Sequence, residues 1–272
     1  MLFGPGYCGA AVMRAARAQG FAVTAVTRAG DPGAVRHALA AATHVLSTVP
    51  PEEAGDPVLK YYDDVLNAAP RLRWVGYLSS TSVYGDRNGG WVDEATPPAP
   101  GSPGAVCRLA AEQGWARLGQ RCQVDLFRLG GIYGPGRSAF DDLRAGRARR
   151  VVKPGHDFGR IHRDDIVQAV LAAMRQRCVP GVRVLNLVDD EPAESAAVIE
   201  EAARLLGIPP PPAVAFADAL ATMSPMARSF WAENRKVASR ATQAALGIAW
   251  WYPSYRQGLR AILREERGDG LA

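Results

Sequence analysis

The residues with the most definite chemistry stand at the front of the chain. Leu2-Phe3-Gly4-Pro5-Gly6-Tyr7-Cys8-Gly9-Ala10-Ala11-Val12 spells Gly-x-Gly-x-x-Gly, and an alanine-rich helical stretch follows it to Gly20. An apolar strand, Phe21 to Thr27, comes next. A glycine turn between strand and helix is built to take a pyrophosphate. Gly4 permits the tight turn, Gly6 lets backbone approach the anion, and Gly9 lets helix pack close to strand. The amides of the helix start, at Tyr7 and Cys8, then face the anion, aided by the helix dipole. Arg28 falls roughly 20 residues past the turn, where an NAD site usually carries Asp or Glu for the ribose hydroxyls. A guanidinium there binds a phosphate instead. That predicts NADP(H) as the preferred cofactor, with NAD still possible. The competing reading is a glycine-rich turn with no ligand.

The elements that must position this turn alternate along the whole chain. Helix over about 7–19, strand 21–27, helix 33–42 and strand 44–49 come first, the last broken by Pro50-Pro51. Then come helix 57–68 and strand 73–78, the latter ending in Ser79-Ser80-Thr81-Ser82. A Gly/Pro-rich stretch, 85–104, reads as a long surface loop. Helix 105–118 and strand 123–129 follow, the strand running into Gly130-Gly131-Ile132-Tyr133-Gly134. Further on, a helix is expected at 164–175, a strand at 182–188 and a helix at 193–206. Such alternation predicts a doubly wound α/β fold with a parallel sheet, a Rossmann domain. Only 28–43 separates the second strand from the third, too little for the extra helix and strand of a full Rossmann half. The usual third strand is therefore expected to be missing or vestigial, leaving strand two at the sheet edge. Only Met1 to Phe3 precede Gly4, so the first strand is either a stub or begins upstream of Met1. The chain reads as one domain, 1–272, with segments of about 134–165 and 209–264 forming a small C-terminal substrate lobe.

Composition narrows the function class. Hydrophobic residues make up 48% and charged residues 22%, an ordinary soluble balance. No apolar run approaches ~18 residues, so no membrane span is expected. The N-terminus lacks a basic stretch before an apolar one, so no signal peptide is read. The four cysteines form no C-x-x-C pair and read as reduced thiols of a cytoplasmic protein. No metal site is expected. Net charge is +5. The densest basic run, Arg144, Arg147, Arg149, Arg150 and Lys153, lacks interleaved aromatics, which speaks against nucleic acid as a partner. It reads first as a solvated helix end and second as a site for an anionic substrate. A homodimer is compatible with the sequence.

Several motifs then agree in order. Tyr77-Leu78-Ser79-Ser80-Thr81-Ser82-Val83-Tyr84-Gly85-Asp86, Trp91-Val92-Asp93-Glu94 and Arg108-Leu109-Ala110-Ala111-Glu112 follow the glycine turn. Arg128-Leu129-Gly130-Gly131-Ile132-Tyr133-Gly134-Pro135-Gly136, Ile161-His162-Arg163-Asp164-Asp165-Ile166 and Tyr252-Pro253-Ser254-Tyr255 complete the series. With these motifs the chain resembles the extended, atypical short-chain dehydrogenase/reductase superfamily, in its NAD-dependent epimerase/dehydratase-like branch. The resemblance implies that Ser79 and Ser80 lie beside the nicotinamide and substrate, with Ser80 polarising a reacting oxygen. It also implies that Gly131 and Ile132 lie against the nicotinamide, that Pro50 adjoins the cofactor, and that Thr81, Arg137, Arg160 and His162 line the substrate cleft.

One position departs from that family. Its catalytic helix carries Tyr and Lys four residues apart, on one face. Here the Lys position, set by Leu109-Ala110-Ala111-Glu112, is Arg108, and the Tyr position is Gly104. Arg108 can still grip a ribose hydroxyl, but Gly104 has no proton to give. The nearest substitutes in sequence are Ser80 and Tyr84, the latter if a cation such as Arg108 lowers its pKa. The expected function is an NAD(P)-binding, epimerase/dehydratase-like oxidoreductase acting on a small polar molecule, sugar derivatives included. A non-catalytic NADP-binding sensor or partner-binding protein is the alternative.

Overall fold

The structure, a computed structural model, describes residues 1–268. The chain opens with β1 (Leu2–Phe3), α1 (Tyr7–Ala18), β2 (Ala25–Val26), α2 (Pro32–Ala40), β3 (His44–Ser47), α3 (Pro57–Ala68) and β4 (Trp74–Ser80). A single 3-10 turn, Thr81–Tyr84, leaves β4 and is followed by β5 (Trp91–Val92), α4 (Pro103–Ala116) and β6 (Gln123–Leu129). Next are β7 (Gly131–Tyr133), α5 (Ala139–Arg144), β8 (Arg150–Val152), β9 (Arg160–His162), α6 (Arg163–Arg175) and β10 (Gly181–Leu187). The remainder is α7 (Ser195–Leu206), β11 (Ala213–Ala215), α8 (Phe216–Leu220), α9 (Pro225–Ala232), β12 (Lys236–Val237), α10 (Arg240–Leu246) and α11 (Tyr255–Arg267).

Six strands make one parallel sheet in the order β10-β6-β4-β3-β1-β2. The short link between β2 and β3 has the expected consequence. β2 is the edge, beside β1, and among the described residues no strand pairs outside it. Both β1 and β2 are only two residues long, and so short an edge offers little backbone to a stray strand. Alternation sends neighbouring side chains to opposite faces. Leu2, Trp74, Leu78 and Phe127 pack with Val12, Ile166 and Val170 on one face. Phe3, Val75, Tyr77 and Leu126 pack with Leu39, Leu66 and Trp115 on the other. Helices on both faces bury the sheet twice, as a doubly wound fold requires.

Three two-stranded ladders stand outside that sheet, β7 with β9, β8 with β11, and β5 with β12. The last ties the 85–104 loop to the C-terminal part, with Lys236 opposite Trp91. Of the segment 209–264, Leu246 and Trp250 pack into the core of the main sheet. Tyr255, Leu259 and Ile262 join Tyr133 and Phe140 in a separate cluster. Among the described residues, no helix is long and apolar enough to cross a membrane.

Candidate functional site

The glycine turn is shaped by contacts at close quarters. Gly4 has φ of 79°, a left-handed value that a Cβ would strain. A Cβ there would also meet Thr48 Oγ1 at 2.9 Å. The Gly4 carbonyl accepts from Thr48 Oγ1 at 2.5 Å and from Gly6 N at 2.7 Å. A Cβ on Gly9 would press on that same carbonyl, well inside van der Waals contact. A Cβ on Gly6 would meet nothing within 4 Å. The turn is thus closed toward the sheet and open at Gly6. Helix α1 starts there with no side-chain cap and no acidic residue in its first turn, so its free amides and positive end face outward. This cradle fits a dinucleotide pyrophosphate.

Two arginines from far along the chain approach the same helix end. The guanidinium carbons of Arg137 and Arg163 lie 5.7 Å and 5.5 Å from the Tyr7 ring centroid. Arg163 is paired with Asp164 at 2.8 Å. Arg137 is not paired with any carboxylate among the described residues, and it also lines the large cleft described next. The Tyr7 hydroxyl donates to Pro135 O at 3.1 Å. The Cys8 thiol is pushed up in pKa by burial, against the pull of both arginines. Arg137 therefore stands between the glycine turn and the cleft, where the resemblance assigns it to substrate alone.

The cleft, about 1060 Å³, opens past the carboxyl ends of β4 and β6. Ser80, Thr81, Gly104, Arg108, Gly131, Ile132, Arg137 and Arg160 all line it. Ser80 Oγ accepts from Ser82 N at 3.1 Å, which caps the 3-10 turn and leaves the hydroxyl proton available to donate. Arg108 Nη1 donates to Tyr77 Oη and Leu78 O, both at 3.1 Å, so its head is fixed at the end of β4. A Cβ on Gly104 would meet nothing within 4 Å. Gly131 lies opposite Arg160 in the β7–β9 ladder.

Three of the expected site residues, Ser79, Tyr84 and His162, are placed otherwise. The Ser79 side chain turns inward: its hydroxyl donates to Glu112 Oε1 at 2.5 Å, and Arg128 grips the same carboxylate at 3.0 and 2.7 Å. Tyr84 is not a cleft acid. It is fully buried, its hydroxyl donates to Asn186 Oδ1 at 2.8 Å, and Arg128 rather than Arg108 lies over its ring at 4.7 Å. Burial raises its pKa despite that cation. His162 is 1% exposed and absent from the cleft wall. Its Nδ1 accepts from Asp164 N at 3.2 Å, capping α6, and its ring packs against Tyr252 and Tyr133. Burial lowers its pKa to about 4, so it is a neutral packed ring rather than a substrate ligand. Arg28 reaches into solvent with its side chain 91% exposed, 3.6 Å from Glu52, and Pro50 is exposed just beyond β3.

The basic run divides. Arg147 lines the cleft and pairs with Asp142 at 3.2 Å. Arg144 pairs with Glu266, Arg150 with Glu200, and Lys153 donates to Trp231 O.

Glu112 and Arg128 were missed as a functional pair, although both lie within the quoted motifs. The available signal was the pair of charged residues Asp125 and Arg128 inside a strand flanked by other strands, each of which demands a buried partner.

Comparison with known proteins bears on this site. The chain matches the model of the NAD dependent epimerase/dehydratase family over residues 15–187. It is 31% identical over 147 residues to Protein YeeZ of Escherichia coli strain K12, 53% of this chain and 50% of that protein. The chain thus spans about half the length of the curated relatives it matches. A functionally unknown conserved protein from Silicibacter pomeroyi shares its structure at a TM-score of 0.87 and 41% identity, covering 97% of this chain and 98% of that one. Human epimerase family protein SDR39U1, solved with NADPH, has a TM-score of 0.77 at 19% identity over 99% of both chains. MoeE5, solved with UDP-glucuronic acid and NAD, has a TM-score of 0.75 at 21% identity over 98% of both. The last two are alike in fold alone.

Proposed function

The chain belongs to the NAD-dependent epimerase/dehydratase family, and on that premise we propose that it is an NADP(H)-dependent oxidoreductase acting on a small polar molecule. One observation carries the reading: the glycine cradle and the cleft open at the same carboxyl edge of the sheet, joined by Arg137. When bound, the nicotinamide supplies or accepts a hydride. The chain's own groups would do the rest. The α1 amides and Arg137 hold the pyrophosphate. Arg108, fixed by Leu78 O, reaches a ribose hydroxyl. Ser80 donates a hydrogen bond to the substrate oxygen as charge develops on it. The elements around β7, β8, β9 and β11 act as the substrate lobe.

Proton supply is the weak link. Gly104 offers none, and burial raises the pKa of both phenols in the cleft wall, Tyr133 and Tyr255. Turnover on ordinary short-chain dehydrogenase substrates is therefore expected to be slow. That same observation favours the second reading, a protein that binds NADP without turning it over.

Cofactor preference is tested at Arg28. Its nearest acid, Glu52, must yield to a 2′-phosphate. Arg28→Ala should weaken NADPH about tenfold in a fluorescence titration and leave NADH nearly unchanged. Equal losses for the two would remove Arg28 from the cofactor site.

A further inference from the structure

We infer that the substrate is a carboxylate on a flat, unsaturated body, its anion taken by Arg160 and its body laid against Phe158 and Trp231. This rests on the proposed placement of the nicotinamide against Gly131. Charge accounting in the cleft comes first. Three of the four acids in its wall are paired with cations, and the fourth, Asp141, keeps its charge. Asp141 accepts from Ser138 N and Oγ at 2.7 and 2.8 Å. Asp142 pairs with Arg147, Asp157 with Lys236 at 3.3 Å, and Glu233 with Arg235 at 2.7 Å. Three arginines in the same wall, Arg108, Arg137 and Arg160, form no salt bridge among the described residues; the first and last bond to neutral protein oxygens. Asp189 is the further acid whose field reaches Arg160. Burial raises its pKa above the usual carboxylate range against the pull of Arg160, and no salt bridge joins the two among the described residues. The cleft is left with an excess of fixed cations, which favours an anionic guest.

Two of the three cations have work in the cofactor reading, Arg137 at the pyrophosphate and Arg108 at the ribose. Arg160 is the one left over. Its Nη1 is fixed by Phe158 O at 2.9 Å and Ala193 O at 2.8 Å. A Cβ on Gly131 would sit 3.8 Å from Arg160 Cγ. An anion held here lies beside the reacting carbon. A sugar nucleotide carries its charge on a diphosphate bonded to the anomeric carbon of its sugar ring and brings tetrahedral anions to this hook. A carboxylate on the reacting body would meet it, and a guanidinium matches carboxylate geometry.

The wall next to the hook is aromatic. Arg160 Cζ is 5.8 Å from the Phe158 ring. Trp231 meets Phe158 edge to face at 5.0 Å. His156 stacks on Trp231 at 5.3 Å, and Phe216 adjoins it at 5.4 Å, so neighbouring rings brace the indole. Such faces stack on a planar ring or conjugated chain.

The test uses cinnamate and cinnamamide, which share a flat body and differ in the charge. Binding to the full chain is measured by calorimetry, with and without NADPH, beside UDP-glucose. Cinnamate is expected to saturate the protein at least tenfold more tightly than cinnamamide. Arg160→Gln should bring cinnamate down to the amide's level and leave the amide unmoved. Arg160→Lys, which keeps the charge, should recover part of the difference and covers the case of a misfolded Gln variant. Trp231→Leu should weaken both ligands alike. Equal binding of acid and amide, no saturation by cinnamate, or saturation by UDP-glucose alone would overturn the inference. Arg160-dependent cinnamate binding in a protein that does not take NADPH would sink the cofactor reading and keep the anion site.

Discussion

The first turns of α1 and α4 both lie at the carboxyl edge of the sheet, and each carries a glycine where a ligand is expected. At Gly9 a methyl group would run into the Gly4 carbonyl, which is itself held by Thr48 and Gly6. At Gly104 a methyl group would meet nothing within 4 Å. Helix α1 is docked at its first turn by backbone packing. Helix α4 is docked further along, where Glu112 binds Arg128 and Asp56 accepts from Trp115 Nε1 at 3.0 Å. One glycine is enforced by neighbours that cannot move. The other is tolerated because α4 is anchored elsewhere, so its first turn needs no close contact to hold it.

The anchor of α4 should therefore be costly to break. The Arg128 and Glu112 side chains are 4% and 3% exposed, and Arg128 Nη1 already lacks a partner. Glu112→Gln leaves a buried guanidinium without a counter-charge, a change worth about 3–5 kcal/mol. It also loosens Ser79 and with it the end of β4 that presents Ser80. Urea unfolding should show the loss. A loss under about 1 kcal/mol would mean that α4 is held by apolar packing alone, and the contrast with α1 would have to be redrawn.

Gly9→Ala comes next in size. The added methyl can be accommodated only by shifting α1 away from β1. Overpacking of this kind costs about 1–3 kcal/mol, and the upper end is expected because the obstacle is backbone. The same shift would misplace the amides of Tyr7 and Cys8, so NADPH binding should fall with stability. Titration and thermal melting on one preparation would separate the two effects. Unchanged affinity in a destabilised protein would detach the turn from the cofactor.

Much of this was legible in the chain itself. The glycine turn, the edge position of β2 and the alternation of elements are local patterns, fixed by spacing and connection length. What escaped depends on contacts across long separations. Strand alternation says that Ser79 and Ser80 point opposite ways, but it does not say which one meets the cleft. That is decided by Glu112, 33 residues on. The Tyr84 phenol reads as an available acid until Asn186, 102 residues away, takes its hydrogen bond. Likewise Arg137 reaches Tyr7 across the fold, which no spacing rule announces. The resemblance sets His162 in the substrate cleft, whereas its ring nitrogen serves as a helix cap.

The smallest expected effect is the sharpest probe of the comparison. Gly104 is the second residue of α4, after Pro103 and the Ser102 cap, and it is not among the glycines with positive φ. Alanine fits that backbone, meets no neighbour and restricts the unfolded chain, a combination that usually adds about 0.4–1 kcal/mol of stability. An N-terminal helix position lies at the low end of that range. Gly104→Ala should thus melt at or slightly above the parent temperature, with NADPH affinity unaltered, because nothing at the glycine turn moves. The same substitution at Gly9 and at Gly104 then gives effects of opposite sign. Should Gly104→Ala instead destabilise the protein or weaken NADPH, the space beside it would have to be in use. Gly104 would then be a position selected for close approach, as Gly9 is.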